Sequence, residues 1–427
     1  MPDVPSHTPT DAAGATRPLL TRLVPLLVAA ALLLGANGVA MTVIAVRGRL
    51  GGLSDTTIGV FGSAYYAGFI LGVLVTPLLI RRVGHIRVFS AFAAINAIAI
   101  LSLAVTPAGA AWAVSRLVSG IAFCGTAMVL ESWLNALASN AERGRILSVY
   151  RIVDLGAITG GQFLLPAFGG GGPEIIVMIG LLFCAALVPV SLAREGNPPI
   201  SDTTRINYLS IWRISPVAAV GCLTIGLTNG AFRTVGPVYA EGVGLDTDGL
   251  ALLISLWVVA GAIFQYPLGW ASDRIDRRWV LMLATVGAGV SCLFLSGMTA
   301  PAAIFLGAFL FGGFALPLYS LSAAHANDHA GPGQFVELAA GLSMFFALGA
   351  MVGPLLASAV MDRFGPSAFF LYTGGLHLSF VAFLAARLFT RDAVPASQRK
   401  RFVWLLRTSP VIFRLAGGQK PAKPRKD

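Results

Sequence analysis

The stretch AREGNPPISDTTRINYLSIWRIS, Ala193–Ser215, is the longest polar interruption between the apolar segments of this sequence. Six apolar segments precede it and six follow it, each close to the roughly 20 residues that a helix needs to cross the hydrocarbon of a bilayer. A polar stretch in this position is typical of a linker between two membrane-embedded halves. The sequence therefore predicts a membrane protein built from two halves with equal numbers of spans.

The amino-acid composition agrees with insertion in a membrane. Hydrophobic residues make up 56% of the 427 residues and charged residues only 11%, against about 25% charged residues in a soluble domain. Helices are favoured because lipid offers the backbone no hydrogen-bond partners, and the alternating segments of a membrane barrel are absent from the sequence. We expect an all-α membrane protein with twelve transmembrane helices. The predicted spans are Leu19–Val46, Ile58–Ile80, Val88–Thr106, Ala110–Ala138, Ile146–Phe168, Ile175–Leu192, Pro216–Ala240, Gly249–Ala271, Trp279–Thr299, Pro301–Ala324, Phe335–Met361 and Ser367–Phe389.

The distribution of basic residues predicts the orientation. With an even number of spans both termini lie on one side, and that side collects most of the 30 Lys and Arg residues. Outside the spans, the other side carries only Arg47, Arg49 and Arg363. Because basic residues accumulate in cytoplasmic loops, we expect a multi-pass protein of the cytoplasmic (inner) membrane with both termini in the cytoplasm. This topology accounts for the net charge of +11, so no nucleic-acid partner is expected.

Short loops recur in the same order in both halves. PLLIRRVGHIR (Pro77–Arg87) corresponds to GWASDRIDRR (Gly269–Arg278), and ASNAERGRIL (Ala138–Leu147) corresponds to HANDHAGPGQFV (His325–Val336). This order indicates duplication into two pseudo-symmetric six-helix bundles, with a solute site near mid-membrane between them. The predicted domains are a cytoplasmic N-terminal tail (1–18), the first bundle (19–192), the cytoplasmic linker (193–215), the second bundle (216–389) and a basic cytoplasmic tail (390–427).

These loops resemble those of the major facilitator superfamily. The family's loop pattern contains Gly, two small or apolar residues, Asp, Arg and paired basic residues, and the matching positions are Gly269, Asp273, Arg274, Arg277 and Arg278. In the first half Arg82 and Gly84 match, whereas Pro77 and Arg81 replace the usual Gly and Asp. The resemblance implies that both loops help to lock the outward-facing state of a transport cycle.

Longer strings look like the YcaD-type branch of this superfamily: IRRVGHIRVF, ESWLN with ASNAERGR, QYPLGWASDR and PLYSLSAAHAND. The resemblance covers nearly all of residues 19–390 and implies the major facilitator fold with transport by alternating access. In SRLVSGIAFCG (Ser115–Gly125), Arg116 matches the arginine that the family often ties to proton coupling. The fifth span, LGAITGGQFLLP, lacks the Gly-Pro core of the antiporter signature, so import and export both stay open.

Three charged residues are predicted to meet inside the membrane. Glu131 in span four and Arg151 and Asp154 in span five lie about 8–12 Å below the cytoplasmic surface, at a rise of about 1.5 Å per residue. Arg151 and Asp154 are three residues apart and share a helix face. Two carboxylates around one guanidinium would favour protonation of one carboxylate, which would couple transport to protons. The alternative is a structural salt bridge that clips the two helices together.

Arg116 in span four and Arg233 in span seven are predicted to face each other across a central cavity. Charges inside a bilayer normally face a cavity or each other, and two arginines there would favour an anionic or zwitterionic solute. The alternative is that each guanidinium bonds backbone carbonyls or extends outward along its stem. Asn229, Asn37 and Gln265 are further candidates for the cavity wall, unless they hold neighbouring helices together.

The remaining candidates carry weaker signals. The four cysteines lack metal-ligand spacing, so they are expected to be small buried thiols, and no metal site is predicted. His325 and His329 are expected in a solvated loop, with a pH sensor as the alternative. The tail string RKRFVWLLRTSPVIFRLAGG either lies on anionic lipid as an interfacial helix or stays disordered. Four aromatic residues either shape a pocket or lie in the core or against lipid: Tyr65, Tyr66, Trp257 and Tyr319.

The sequence therefore predicts a secondary active transporter, coupled to protons, that carries a small anionic or zwitterionic solute. We expect a monomer that needs no cofactor. An exporter of amphiphilic, drug-like compounds is the alternative, and a receptor or scaffold that transports nothing is a more remote one. An enzyme is not expected, because the loops offer no metal-ligand cluster and no Gly-rich phosphate cradle.

Overall fold

The computed structural model describes residues 19–137, 143–192, 208–331 and 334–388, together with Phe402. Within these residues the chain forms helices and turns, and no strand occurs. The predicted N-terminal tail (1–18), most of the predicted linker (193–215) and, apart from Phe402, the predicted basic tail (390–427) lie outside the described residues.

The described helices follow one another along the whole chain. In the first half they are α1 (Leu19–Leu50), α2 (Asp55–Val83), α3 (His85–Val105), α4 (Ala110–Leu137), α5 (Arg143–Gln162), α6 (Leu164–Ala167), α7 (Pro173–Ala185) and α8 (Leu187–Ser191). In the second half they are α9 (Tyr208–Ile214), α10 (Pro216–Ile225), a π-helical turn (Gly226–Gly230), α11 (Ala231–Gly242), α12 (Thr247–Arg274), α13 (Arg277–Ser296), α14 (Pro301–Ala315), α15 (Leu318–His329), α16 (Phe335–Phe364) and α17 (Ala368–Leu388).

Ten helical segments in the described ranges are long and apolar enough to cross a membrane. Predicted spans five and seven are the two that do not reach this threshold. Span five corresponds to α5 and the short α6, and Arg145, Arg151 and Asp154 lower the apolar character of α5. Span seven consists of α10, the π-helical turn and α11 in succession, so no single helix has the full length. Both are nevertheless helical, and the predicted all-α membrane fold is confirmed.

The two halves pair their helices in the same way. In the first half α2 packs on α4, α3 on α7 and α1 on α5; in the second half α12 packs on α14, α13 on α17 and the π-helical turn on α16. Glycines permit the closest approaches. A Cβ on Gly68 would lie 1.9 Å from the carbonyl oxygen of Leu117, and one on Gly312 would lie 2.2 Å from that of Trp257. Because a side chain cannot occupy such a distance, glycine is required at both crossings. The repeated pairing supports the predicted duplication.

The halves meet along α2 with α16, α1 with α11 and α5 with α12. Close packing occurs at the end of the bundle where α1 ends and α2 begins, which we call the outer end. A Cβ on Gly59 would lie 2.0 Å from the hydroxyl oxygen of Ser358, and one on Gly62 would lie 2.8 Å from the Cβ of Thr234. The outer end is therefore closed by direct contact between α2 and the second half.

Polar contacts also join the halves at the outer end. The Asp362 carboxylate, near the end of α16, accepts hydrogen bonds from the backbone N–H groups of Asp55 (3.0 Å) and Thr56 (2.8 Å) and from the Thr56 hydroxyl. A carboxylate in this position caps the first turn of α2 and interacts favourably with its helix dipole. Arg49 pairs with Asp55 at 2.9 Å and with Glu241 of the second half at 3.7 Å. Sequence reasoning missed this cluster.

Candidate solute-binding cavity

A cavity of about 1160 Å³, counting the space where it opens to solvent, lies between the two halves. Its walls come from α1, α2, α4 and α5 of the first half and from α11, α12 and α16 of the second. A cavity between the two halves is where a major facilitator transporter binds its solute. The polar, charged and amphipathic residues on its walls are Asn37, Thr42, Tyr65, Tyr66, Arg151, Asp154, Gln162, Arg233 and Trp257.

Arg151 and Asp154 form an ion pair on the cavity wall. They are three residues apart on α5, and Arg151 Nη1 donates to Asp154 Oδ2. The side chain of Asp154 is 1% exposed, whereas that of Arg151 is 22% exposed. The second carboxylate oxygen, Asp154 Oδ1, is buried and accepts no hydrogen bond from the described residues. The pair is therefore buried on the Asp154 side and accessible on the Arg151 side.

Glu131, the third member of the predicted cluster, lies in α4 and is 1% exposed. Its backbone carbonyl accepts a hydrogen bond of 2.8 Å from the side-chain amide of Asn135. Among the described residues Glu131 does not belong to the lining of the central cavity. The structure thus places Arg151 and Asp154 together on the wall, and the contact of Glu131 with them stays a prediction.

Arg233 supplies a second guanidinium to the central cavity. It lies near the start of α11, directly after the π-helical turn, and is partly exposed. Within the described residues no carboxylate pairs with this guanidinium, and no side chain or carbonyl accepts a hydrogen bond from it. Guanidinium groups bind carboxylates and phosphates through paired hydrogen bonds. Arg233 is therefore the cavity residue best placed to bind an anionic group.

Two neutral hydrogen bonds connect helices of the first half at the cavity. The Tyr65 hydroxyl donates to Asn37 Oδ1 at 3.0 Å, and the Thr42 hydroxyl donates to Gln162 Oε1 at 2.7 Å. The structure thus places Asn37 on the wall, where it also links α1 to α2. Sequence reasoning missed Thr42 and Gln162. An amide in the mostly apolar second half of span five was the signal that could have identified Gln162.

Aromatic side chains cover much of the remaining wall: Tyr65, Tyr66, Phe69, Phe123, Trp257 and Phe346. The rings of Tyr65 and Tyr66 pack edge to face with centroids 5.4 Å apart. Tyr319 lies outside this lining in the described structure; its hydroxyl is 2.8 Å from that of Ser343, and its ring packs on Phe346. Aromatic walls of this kind accommodate the apolar part of a ligand.

Arg116 lies one layer behind the cavity wall. It is 2% exposed, its guanidinium carbon lies 4.4 Å from the ring centroid of Tyr65, and its Nη2 lies 3.0 Å from the sulfur of Met41. Burying a charge costs several kcal/mol even after the protein relaxes, whereas a desolvated cation–π contact contributes about 2 kcal/mol. Tyr65 faces the central cavity and separates Arg116 from it, so contact between Arg116 and a solute stays a prediction.

Asn229 and Gln265 occupy positions between helices. Asn229 lies in the π-helical turn, is 1% exposed and donates from Nδ2 to the carbonyl oxygen of Ala315 at 3.4 Å. Gln265 in α12 is 4% exposed. Neither is among the described residues that line the central cavity, which favours the interhelical role. The π-helical turn itself packs closely on α16, since a Cβ on Gly226 would lie 2.1 Å from the carbonyl oxygen of Phe346.

The loop between α12 and α13 is organised around Arg277. This side chain is 2% exposed and donates from Nε to Asp328 (2.6 Å), from Nη1 to Ser272 (3.0 Å) and from Nη2 to Asp273 (3.3 Å). Asp328 belongs to α15 and the other two acceptors to α12. Arg277 therefore fastens three helices of the second half together at the end of the bundle opposite the outer end.

Phe402 packs against the same loop. Its backbone N–H donates to Asp273 Oδ1 at 2.8 Å, and its ring covers Gly269, where a Cβ would lie 2.6 Å from a ring carbon. Gly269 and Asp273 are two of the positions that match the family's loop pattern. The chain therefore returns to this loop after α17, at the end of the bundle that carries Arg277.

The other basic positions of the loop interact locally. Arg278 pairs with Asp276 at 2.7 Å, and the exposed Arg274 stacks on Trp270, with its guanidinium carbon 3.9 Å from a ring centroid. The corresponding loop of the first half is built differently. Gly84 has φ 85°, which favours glycine, and separates α2 from α3, while Arg82 is exposed.

Two weaker expectations were wrong. Three cysteines are buried, but Cys184 is exposed, because it lies on the side of α7 that faces away from the protein core. The segment of His325 and His329 is not a solvated loop, because α15 continues through both residues, and His325 is 7% exposed. In the part of the chain that the structure describes, no group of three or more His, Cys, Asp or Glu side chains is arranged to hold a metal ion.

The sequence is similar to uncharacterized MFS-type transporters over most of its length. It is 25% identical over 334 residues to the uncharacterized MFS-type transporter YcaD of Shigella flexneri serotype 5b (strain 8401), covering 78% of this chain and 87% of the relative. It is 24% identical over 338 residues to an uncharacterized MFS-type transporter of Enterobacter sp. (strain 638), covering 79% of this chain and 86% of the relative. These relatives agree with the predicted YcaD-type branch.

The fold matches solved transporter structures. The nucleoside transporter NupG superposes with a TM-score of 0.73 at 12% identity, covering 87% of this chain and 100% of that one. A bacterial homologue of the human lysosomal transporter Spinster, in an inward-facing and unoccupied conformation, superposes with a TM-score of 0.65 at 14% identity, covering 96% of this chain and 100% of that one. At these identities the likeness establishes the fold alone.

The family assignment rests on the sequence as a whole. Residues 25–256 and 218–420 match the family model of the Major Facilitator Superfamily, so the match extends over both halves. The helix pairing, the cavity between the halves and the loop residues around Arg277 agree with that match. This chain is therefore a multi-pass membrane protein that belongs to the Major Facilitator Superfamily of transporters.

Proposed function

We propose that this chain is a proton-coupled secondary active transporter of a small anionic or zwitterionic solute. The observation that carries the proposal is Arg233, a guanidinium on the cavity wall that no carboxylate of the described residues pairs with. Arg151 and Asp154 neutralise each other, so the described lining carries an excess of one positive charge. Hydrogen bonds between ionised groups are roughly twice as strong as neutral ones, and a carboxylate or phosphate on the solute would form them with Arg233.

The rest of the cavity wall supports a solute with an apolar or aromatic body. Trp257 faces the cavity together with Arg233, and its indole Nε1 has no acceptor among the described residues. A solute that binds Arg233 would also contact the aromatic rings of this wall. The same walls favour the second candidate function, an exporter of amphiphilic compounds, and the charge of the solute head distinguishes the two candidates.

Proton coupling is proposed to run through Asp154. Its carboxylate is buried, sits on the cavity wall and holds Arg151. A proton on Asp154 would remove its charge and release Arg151 toward the cavity, where it could bind the solute anion next to Arg233. Loss of the proton would re-form the pair and favour release of the solute. Glu131 remains the second candidate for this role, as the sequence predicted.

The described conformation corresponds to one state of alternating access. The outer end is closed by Asp362 on α2 and by the packing of Gly62 against Thr234. The cavity reaches Arg151, which lies in the half of α5 nearer to the other end, and Asp154, which lies near the middle of α5. With the termini in the cytoplasm, as the basic residues predict, this is the inward-facing state. In the outward-facing state the loop of Arg274, Arg277 and Arg278 would contact neighbouring helix ends.

The test is counterflow by the purified protein in liposomes. A thermal-shift screen of carboxylates, phosphates, amino acids, neutral sugars and organic cations first identifies solutes that bind. Counterflow of the hits then separates a carrier from a receptor or scaffold, because only a carrier exchanges internal for external solute. We expect anionic or zwitterionic hits that undergo counterflow.

Arg233→Gln provides the test of the proposed anion-binding residue. Removing the guanidinium should weaken solute binding at least tenfold, which corresponds to about 1.4 kcal/mol. The matched control is Arg87→Gln, which removes the same charge from an exposed position outside the cavity and should leave binding unchanged. The proposed solute class would be refuted if the protein carried neutral or cationic solutes and Arg233→Gln bound them with unchanged affinity. That result would favour the exporter of amphiphilic compounds.

A further inference from the structure

Arg116 is a charged residue in the membrane-embedded core with no counter-ion among the described residues. It lies on α4, is 2% exposed and forms no ion pair with a carboxylate in the part of the chain that the structure describes. Glu131, the other charged residue in the buried part of α4, lies fifteen residues further along, or about 22 Å along the helix axis. Arg116 therefore keeps its charge without a nearby acid on its own helix.

The contacts of Arg116 leave one part of the guanidinium unsatisfied. Nη2 points at the Met41 sulfur, and the guanidinium carbon stacks on the ring of Tyr65. A thioether is a weak acceptor, and a ring stabilises a cation less than a carboxylate does. Nη1 is buried and has no hydrogen-bond partner among the described residues. A buried donor that also carries charge is among the costliest groups to leave without an acceptor.

Arg116 faces a small cavity that is separate from the central one. This cavity has about 200 Å³, counting the space where it is open, and is lined by Met41, Ile44, Ala45, Ile58, Phe61, Gly62, Arg116 and Thr234. Its wall is thus apolar except for the guanidinium and the Thr234 hydroxyl. That hydroxyl donates to the carbonyl oxygen of Gly230 at 2.9 Å. Inside its open edge the cavity has room for about one water-sized particle, which limits an occupant beside the guanidinium to a single monatomic ion.

We propose that this small cavity binds a monovalent inorganic anion of the chloride class on Arg116. The anion would accept the hydrogen bond of Nη1 and neutralise the buried charge. A dianion such as sulfate is excluded by the same lining, because one guanidinium among apolar side chains cannot offset the desolvation of two charges. The carboxylate of an organic solute would have to pass Tyr65 to reach this cavity. The experiment omits organic solutes, so its result reports on a free halide.

The position of the cavity adds an expectation about the conformation that binds the anion. Ile58, Phe61 and Gly62 come from α2 of the first half, whereas Thr234 comes from α11 of the second. The cavity is complete only while α2 and α11 are in contact at the outer end. A bound halide therefore stabilises the outer-closed state, and anion binding follows the conformation described here.

The experiment measures the thermal stability of the full-length protein in detergent, in the absence of any organic solute. Sodium gluconate is replaced by sodium chloride or sodium bromide at constant ionic strength, with sodium sulfate as the dianion. We expect a saturable rise of the melting temperature with chloride and bromide and none with sulfate. Arg116→Gln should lose this response, and Arg116→Lys should keep part of it. Arg87→Gln, which removes the same charge from an exposed position outside both cavities, should respond like the unchanged protein.

A second measurement keeps the inference testable if Arg116→Gln does not fold. Crystals of the unchanged protein grown in bromide should give an anomalous peak within hydrogen-bond distance of Arg116 Nη1. The inference fails if the peak lies elsewhere or is absent, or if chloride stabilises Arg116→Gln as much as the unchanged protein. It also fails if Arg233→Gln alone loses the response, since the halide would then occupy the site proposed for the solute anion. Because no organic solute is present, the outcome does not depend on the proposed function.

Discussion

The pairs Arg277–Asp328 and Arg151–Asp154 join the same chemical groups in two different surroundings. Arg277 and Asp328 are 2% and 3% exposed, and Arg277 reaches acceptors on two neighbouring helices. Arg151 is 22% exposed on the wall of the central cavity. One carboxylate oxygen of its partner Asp154 accepts no hydrogen bond from the described residues. The first pair is enclosed by protein and the second is accessible to a solute. The proposed transport role of Arg151 and Asp154 therefore rests on their accessibility and on the unused bonding capacity of the pair, and the ion pair alone does not distinguish it from the structural pair of Arg277 and Asp328.

The largest effect is expected for Arg277→Gln. The change leaves the Asp328 carboxylate buried without its guanidinium, and breaking a buried pair costs about 3–5 kcal/mol of stability. The measurement is denaturation of the purified protein in detergent. Arg274→Gln serves as the control, because Arg274 is exposed and stacks only on its neighbour Trp270. Equal stability of the two variants would remove the structural role assigned to Arg277.

Asp154→Asn is expected to change transport more than stability. The variant cannot exchange a proton at this position, so a pH gradient should no longer accelerate solute flux, while flux by exchange persists. Its stability loss should be smaller than that of Arg277→Gln, because Arg151 can reach the water of the cavity. The measurement is flux into liposomes with and without a pH gradient.

The matched control for Asp154→Asn is Asp328→Asn, which neutralises the enclosed carboxylate. Any folded fraction of that variant should keep its response to the pH gradient. If Asp154→Asn kept the full response, the accessible pair would be a structural clip, and Glu131→Gln would become the next variant to measure.

The smallest effect is expected for Asp362→Ala, which removes a carboxylate that holds the two halves together at the outer end. Loss of a helix N-terminal cap costs about 0.5–2 kcal/mol, which corresponds to a roughly 2- to 30-fold shift away from the outer-closed state. Distances between spin labels at the outer ends of α2 and α16 would report the shift. Glu241→Gln is the control, because its 3.7 Å pair with Arg49 is partly exposed and contributes little. An unchanged distance distribution would contradict the role of Asp362.

Features that depend on one helix were predictable from the sequence. The apolar runs predicted the membrane spans, and the three-residue spacing of Arg151 and Asp154 predicted a shared face, where the structure forms an ion pair. The order of the arginine-rich loops predicted the two halves, which pair their helices alike. These inferences use only the period of a helix and the length of a span, which each segment encodes by itself.

Features that depend on how helices cross were not predictable. The capping of α2 by Asp362 joins residues 307 positions apart, and the bond between Thr42 and Gln162 joins residues 120 positions apart. The position of Arg116 behind Tyr65 follows from the close approach of α2 and α4, which Gly68 permits. The pattern of one helix does not specify the register of its neighbour. The sequence therefore identified polar and charged residues as site candidates, but it did not show which of them contact each other.

The hydrogen bond from Phe402 to Asp273 has a practical consequence for protein engineering. A shortened chain that stops after α17 would lose both this N–H donor and the ring that covers Gly269. Reporter fusions and affinity tags that replace the tail would thus alter the surface they are meant to leave untouched. Such additions should keep Phe402 and its contacts with Asp273 and Gly269.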